Sequence, residues 1–393
     1  MRTFRVAVIG VLTCVVAWST SPGLVAATRV NTPSATCGPT WGIVPSPSPG
    51  NDFNGLNAVS SISSVDAWAV GASTTITGDI TFTTVPLILH WDGATWMQFP
   101  SNSSPGSHSL LDVVETSSSD AWAVGPTYSG PGPYVEHWDG TAWSEVSVPS
   151  IGITASLNGI TAVSSADVWA VGSYVDDVLG SQTLVEHWDG TSWTIVSSPN
   201  LGTDANSLID ATAISANDVW ATGNVSNSQL QKGKPYFAHW DGTSWSLVRA
   251  WWPKVATESG VSGVDANSSG AVFAAGQVEF PQTGIFAENW SGSRWSPLSV
   301  VTPQAFPTLV GVAVNDGGEA WVVGLSHKSG GANKTLIEHS TGGSFVLDIS
   351  PNVPGATNEL IGADASPGGD VWAVGDSTVN GFPAQTLIEH LCP

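Results

Sequence analysis

The stretch Asp167-Val168-Trp169-Ala170-Val171-Gly172, followed by Val185-Glu186-His187-Trp188-Asp189-Gly190-Thr191-Ser192-Trp193, decides the fold. Its first half recurs at Asp66–Gly71, Asp120–Gly125, Asp218–Gly223 and Asp370–Gly375, with weaker copies at Gly270–Gly276 and Glu319–Gly324. The aromatic of each copy falls at Trp68, Trp122, Trp169, Trp220, Phe273, Trp321 and Trp372, giving spacings of 54, 47, 51, 53, 48 and 51 residues. Seven units of about 50 residues are the sequence signature of propeller blades, each a supersecondary unit that buries its faces only against its neighbours.

In the second half, Asp189-Gly190 sits between two aromatic, β-prone runs and reads as a hairpin, because Gly accepts the positive φ of a tight turn. Asp92-Gly93, Asp139-Gly140 and Asp241-Gly242 repeat it, and Ser291-Gly292 and Thr341-Gly342 are degenerate copies. One unit therefore gives four strands, a to d from the axis outward: Leu157–Val163, Val168–Tyr174, Thr183–Trp188 and Ser192–Ser197. The seventh unit ends at Leu391-Cys392-Pro393 without a fourth strand. Thr40-Trp41-Gly42-Ile43-Val44-Pro45-Ser46-Pro47 matches Ser192–Pro199 and supplies it, so residues 37–47 are expected as the outer strand of blade 7 in an all-β, seven-bladed propeller spanning 37–393. Counting from the matched residues puts Cys37 and Cys392 at the one turn position held elsewhere by Asp189, and in an exported chain such a pair is expected to be oxidised.

Export is read from the other end of the chain. Arg2 and Arg5 precede an apolar run from Val6 to Trp18, and Val25-Ala26-Ala27 supplies small residues, which predicts a signal peptide over 1–27, a short segment over 28–36 and a secreted mature protein. The apolar run is too short to span a bilayer. The formal charge is −22, and −24 without the leader. That balance argues against nucleic acid and anionic membrane surfaces as partners, since both need a positive face.

The unit from Val168 to Pro199 resembles the kelch blade of galactose oxidase-like propellers, in its apolar strand ending in Gly and its later aromatic, turn and tryptophan. It is more similar to the tryptophan-rich repeat of exported bacterial propeller proteins without an assigned activity. The resemblance covers about residues 40–393 and implies the fold rather than a function. It departs from kelch in its single Gly172 and in the short interval between Trp188 and Trp193.

The candidate chemistry is thin. Six of the eight histidines (His90, His137, His187, His239, His339, His390) share one repeat position and are expected to serve the blade through a turn, as are the Asp that opens each strand b, bonded to a–b turn amides, and the recurring Glu of strand c. No ligand spacing suggests a metal, and no cofactor is implied. A sialidase-like site needs three arginines, whereas the chain beyond the leader has only Arg29, Arg249 and Arg294, poorly placed for one. The galactose oxidase copper chemistry needs a cysteine, and both are assigned to the seam.

Turns a–b and c–d are short and alike, while connections b–c and d–a vary and emerge on one face. That face is the expected site. Its off-repeat residues are Trp251, Trp252, Tyr128, Tyr174, Asp176, Asp177, His108 and His327, with Phe280, Phe306 and Phe382 beside them. Trp251 and Trp252 stand out, as the only tryptophans after the leader outside repeat phase, flanked by Arg249 and Lys254. The expectation is a monomeric, non-catalytic binding protein for an extracellular glycan or protein. The alternative is a polysaccharide-acting hydrolase or lyase.

Overall fold

The computed structural model describes residues 28–29 and 38–392, apart from 79–80, 104–107, 128–129, 131, 203–204, 228–231, 252–257, 281–283, 302–305, 342, 380 and 382. The regular structure is all strand. Seven antiparallel sheets form from residues 53–99, 112–145, 154–195, 205–248, 258–298, 306–347 and 356–391, which are blades 1 to 7. Strand a of each blade packs beside strand a of the next, and that of blade 7 packs beside that of blade 1, so the sheets close into a ring. Blade 7 takes its fourth strand from Gly42–Ile43, in register Gly42↔His390 and Ile43↔Glu389. Thr28–Arg29 pairs with Gln98 and Met97 as a fifth strand outside blade 1, which the repeat gave no reason to expect.

In blade 3 the strands are Thr154–Ser164, Asp167–Asp176, Gly180–Trp188 and Trp193–Ile195. Strand a slips one residue against strand b between Leu157 and Gly159, a β-bulge repeated at the same place in blades 1, 4, 5, 6 and 7. The bulge explains the repeat glycine. A Cβ on Gly172 would lie 2.0 Å from the Ser156 carbonyl, and the same clash meets a Cβ on Gly71, Gly125, Gly324 and Gly375. The glycine is thus required by a close backbone approach.

Between blades the core is aromatic. Trp68 of blade 1 packs against Trp138 and Trp143 of blade 2, at ring separations of 5.0 and 5.1 Å. Equivalent trios form between blades 2 and 3, 3 and 4, 4 and 5, and 7 and 1. The indole at the end of strand c also donates Nε1–H to a carbonyl of its own a–b turn: Trp91 to Ser64, Trp138 to Ser118, Trp188 to Ser165 and Trp240 to Ala216, at 3.0–3.2 Å.

The repeat histidine and aspartate differ from expectation in one respect. They bond to each other, across strands b and c, rather than to turn amides: His90–Asp66, His137–Asp120, His187–Asp167, His239–Asp218 and His390–Asp370, at 2.6–3.1 Å through Nε2. Each of these rings lies over the tryptophan of strand b, as His187 over Trp169 at 4.0 Å. Neighbouring strands place the two side chains on the same face, whereas in the a–b turn a serine hydroxyl (Ser63, Ser117, Ser164 or Ser215) accepts the amide two residues on. Blade 5 carries Ala271, Phe273 and Asn289 at these three positions, so the unit is lost together.

Candidate functional site

The ring axis is a hollow of about 450 Å³ lined by strand a of every blade. Residues at the bulges, among them Asn57, Ile209, Val310 and Ile361, face it. Four carboxyl groups line it, and each is occupied by backbone. Asp112 accepts from Val113 N and from Ile160 N of blade 3; Asp210 from Ala211 N and Val264 N of blade 5; Asp265 from Ala266 N and Val314 N of blade 6. Asp364 accepts from Ser61 N and Oγ of blade 1. These acids bind one blade to the next. Burial pushes all four upward in pKa, Asp210 to about 6, against the lowering effect of the amides. With their oxygens turned to backbone they lack the free, paired carboxyls that glycoside cleavage uses.

The strand c glutamates make a second set of inter-blade contacts. Glu288 Oε2 accepts from Trp251 N at 2.9 Å, Glu338 Oε2 from Val301 N at 3.0 Å and Glu389 Oε2 from Ser350 Oγ at 2.8 Å, each donor lying in the exit from the preceding blade. Glu136 takes the Ser101 and Tyr134 hydroxyls. Burial raises Glu186, Glu288 and Glu389 to about 8 and Glu338 to about 7, since a buried carboxyl favours its neutral form.

The described residues among those singled out on the variable face are distributed over blades 2 to 6. Trp251 is half-buried against the core between blades 4 and 5, and its amide is the one bound by Glu288. Trp252, Tyr128, Phe382 and Cys37 lie outside the described residues, as does the side chain of Phe280. His108 is buried and stacked on Tyr134 at 4.3 Å, in the interior of blade 2. His327 ends strand b of blade 6 and stacks on Phe306 at 5.0 Å. Tyr174 packs on the core of blade 3, and Asp176 accepts from Val178 N and Leu179 N at 2.8 Å, which caps the b–c hairpin and lowers its pKa; Asp177 is exposed beside it. That cap holds Val178 and Leu179 out in solvent, 83% and 61% exposed.

Next to Trp251 the variable face carries a groove of about 410 Å³. Leu201, from the exit of blade 3, forms one side. Tyr236, Val248 and Ala250 form an apolar floor, and the exposed Lys234 and Arg249 stand on the rim. Tyr236 Oη is buried without a hydrogen-bond partner among the described residues, and burial raises its pKa. The chain has only ten lysines and arginines against 32 acids, so two cations on one groove are a local reversal of sign. The sequence reading included Arg249 and passed over Lys234, because the two meet only through the pairing of strands c and d.

At the seam, Asp370, His390 and Cys392 bring ligand-type atoms within 4.8 Å of one another. Asp370 is already bonded to His390, and the Cys392 sulfur lies 3.4 Å from the same imidazole nitrogen. The other two cysteines, Cys14 and Cys37, lie outside the described residues.

No family model matches the chain, and no curated sequence does. Solved structures do. YCF48 bound to D1 peptide is similar at a TM-score of 0.53 and 13% identity, over 92% of this chain and 98% of that one. An ulvan lyase of polysaccharide lyase family PL25, bound to GlcA(1-4)Rha3S, gives 0.52 and 11% over 92% and 95%. A protein of unknown function from Dyadobacter fermentans gives 0.53 and 12% over 89% and 97%. At such identities the likeness establishes the propeller fold alone, and the kelch-like resemblance remains one of blade pattern.

Proposed function

We propose that the chain is an exported, monomeric binding propeller that takes an acidic extracellular ligand, a uronate- or sulfate-bearing glycan or an acidic protein segment, on the variable face of blades 3 and 4. The groove with Lys234 and Arg249 over an apolar floor carries this reading: the cations select the charge, and Tyr236, Val248 and Leu201 supply apolar contact. The exposed Val178 and Leu179 of the adjoining blade extend the surface. Similar propellers captured with a peptide and with an acidic saccharide are in keeping with such ligands. The binding role, rather than turnover, rests on the axial aspartates, which are all engaged as inter-blade clamps.

Export follows from the leader over 1–27, and with it a bridge from Cys37 to Cys392. Gly38 O accepts the Cys392 amide at 3.1 Å, and Cys37 precedes Gly38 in the sequence. Two alkylatable thiols in the unreduced, unfolded mature protein would rule the bridge out.

The test is calorimetric titration with polygalacturonate, neutral dextran and a polyglutamate peptide. An acidic polymer is expected to bind and dextran not to, with at least a tenfold loss in the Lys234→Glu/Arg249→Glu double variant at unchanged melting temperature. Equal binding by the variant, or depolymerisation of the glycan, overturns the proposal.

A further inference from the structure

The interface between blades 6 and 7 departs from the repeat at two positions that line one pocket. In five interfaces the strand b tryptophan meets two indoles of the following blade, at ring separations of 4.8–5.6 Å. Trp321 of blade 6 keeps its place and Trp41 supplies the strand d indole of blade 7, but the strand c position that holds Trp91, Trp138, Trp188, Trp240 or Trp290 elsewhere holds Leu391. Between blades 5 and 6 both partners shrink together, to Phe273 and Ser340; here only one does.

The second departure is Asp348. Its equivalents in the other blades are Phe99, Val146, Val196, Val248, Leu298 and Val44, all apolar. Asp348 draws His339 out of the repeat arrangement, bonding Nδ1 at 2.6 Å through Oδ1, and accepts Trp41 Nε1–H at 2.9 Å through Oδ2. His339 therefore leaves Nε2 without a partner among the described residues, whereas its five counterparts spend Nε2 on the strand b aspartate. The result is a pocket of about 550 Å³ on the short-turn face, lined by Trp41, Trp321, His339, Asp348, Leu391 and Gly369. Leu347 and Ile349 stand at its edge, 46% and 92% exposed.

We propose that this pocket is a docking site for a tryptophan side chain of a partner protein. The chain itself specifies the occupant, because the same slot is filled by an indole at five other interfaces. A ring entering here has the indoles of Trp41 and Trp321 in its walls. Residues 28–37, the segment adjoining Pro39 and Thr40 of the pocket wall, contain no aromatic and cannot supply the ring themselves. The exposed Ile349 and Leu347 give a partner an apolar rim to cover, in the pattern of an anchor residue with a surrounding seal.

The test uses 5-fluoroindole and a short tryptophan-containing peptide with the full mature chain, read by fluorine NMR and by competition. Saturable one-site binding of fluoroindole is expected, with a Kd on the order of 0.1–1 mM for so small a ligand, and displacement by the tryptophan peptide but not by its alanine version. Leu391→Trp is expected to fill the slot and abolish binding. Ile349→Arg, at an exposed position that leaves the fold intact, is expected to weaken the peptide at least fivefold and fluoroindole less. Absence of saturable binding, or binding unaltered by Leu391→Trp, overturns the proposal; so does displacement by the alanine peptide.

Discussion

The interface of blades 1 and 2 and that of blades 6 and 7 are built from equivalent positions and end differently. In the first, Trp68, Trp138, Trp143 and Phe99 close on one another and His90 is held over Trp68 by Asp66. In the second, Leu391 and Asp348 replace two of those rings, His339 turns away, and a pocket opens. The difference teaches that a residue copied from blade to blade belongs to the scaffold. A position where the copy fails while its neighbours persist is where a site becomes possible.

That contrast breaks most visibly at the tryptophans. Trp68→Ala is expected to cost about 3–5 kcal/mol, since a fully buried ring leaves a cavity among three others, whereas Trp321→Ala, facing space already open, is expected to fall near or below about 3 kcal/mol. Urea unfolding of both variants decides it, and equal losses would mean that the 6–7 interface is as tightly filled as the rest.

The buried glutamates sharpen the scaffold side. A carboxyl raised from 4.5 to about 8 on folding, as for Glu288 and Glu389, binds its proton more tightly in the native state. Its contribution is complete below pH about 4.5 and is lost as pH rises through about 8, with a slope of up to about 1.4 kcal/mol per pH unit for each proton of difference. The turn carboxylates Asp139 and Asp241, lowered to about 2 chiefly by the Thr141 and Thr243 hydroxyls, act in the opposite sense, and only below pH about 4. Melting temperature is therefore expected to fall from pH 5 to pH 9, and to fall less steeply in Glu288→Gln. A protein most stable at pH 9 would contradict the assignment.

A smaller effect separates blade 1 from blade 5. Asp66→Ala removes a part-buried charge-assisted bond and is expected to cost about 1 kcal/mol. Asn289→Ala, at the histidine position of a blade that lacks the aspartate, is expected to cost under about 0.5 kcal/mol. Thermal melts of the two variants test the pairing that the structure substitutes for the expected turn bonds.

The repeat was legible because its carriers are rare residues at fixed phase: seven strand b aromatics, the Asp-Gly turns, and Trp41 matching Trp193 across the chain ends. The grouping of His90 with Asp66 was missed, since the two are 24 residues apart and meet only through strand pairing. The same holds for Lys234 with Arg249, while Leu391 and Asp348 come together only across a blade interface. Trp251 drew notice as an off-phase aromatic, yet its amide and ring are spent on holding blade 5 to blade 4. Phase reveals what breaks a repeat; only the fold reveals which breaks adjoin.

The most direct trial of this account is to create the vacancy where none exists. Trp138→Leu copies the Leu391 departure into the interface of blades 1 and 2, leaving Trp68 and Trp143 as its walls. Fluoroindole titrations of that variant are expected to show two sites where the parent shows one, with a rise in melting temperature as the second fills. A variant that folds and still binds a single equivalent would contradict the claim that the absent repeat indole is what makes the pocket.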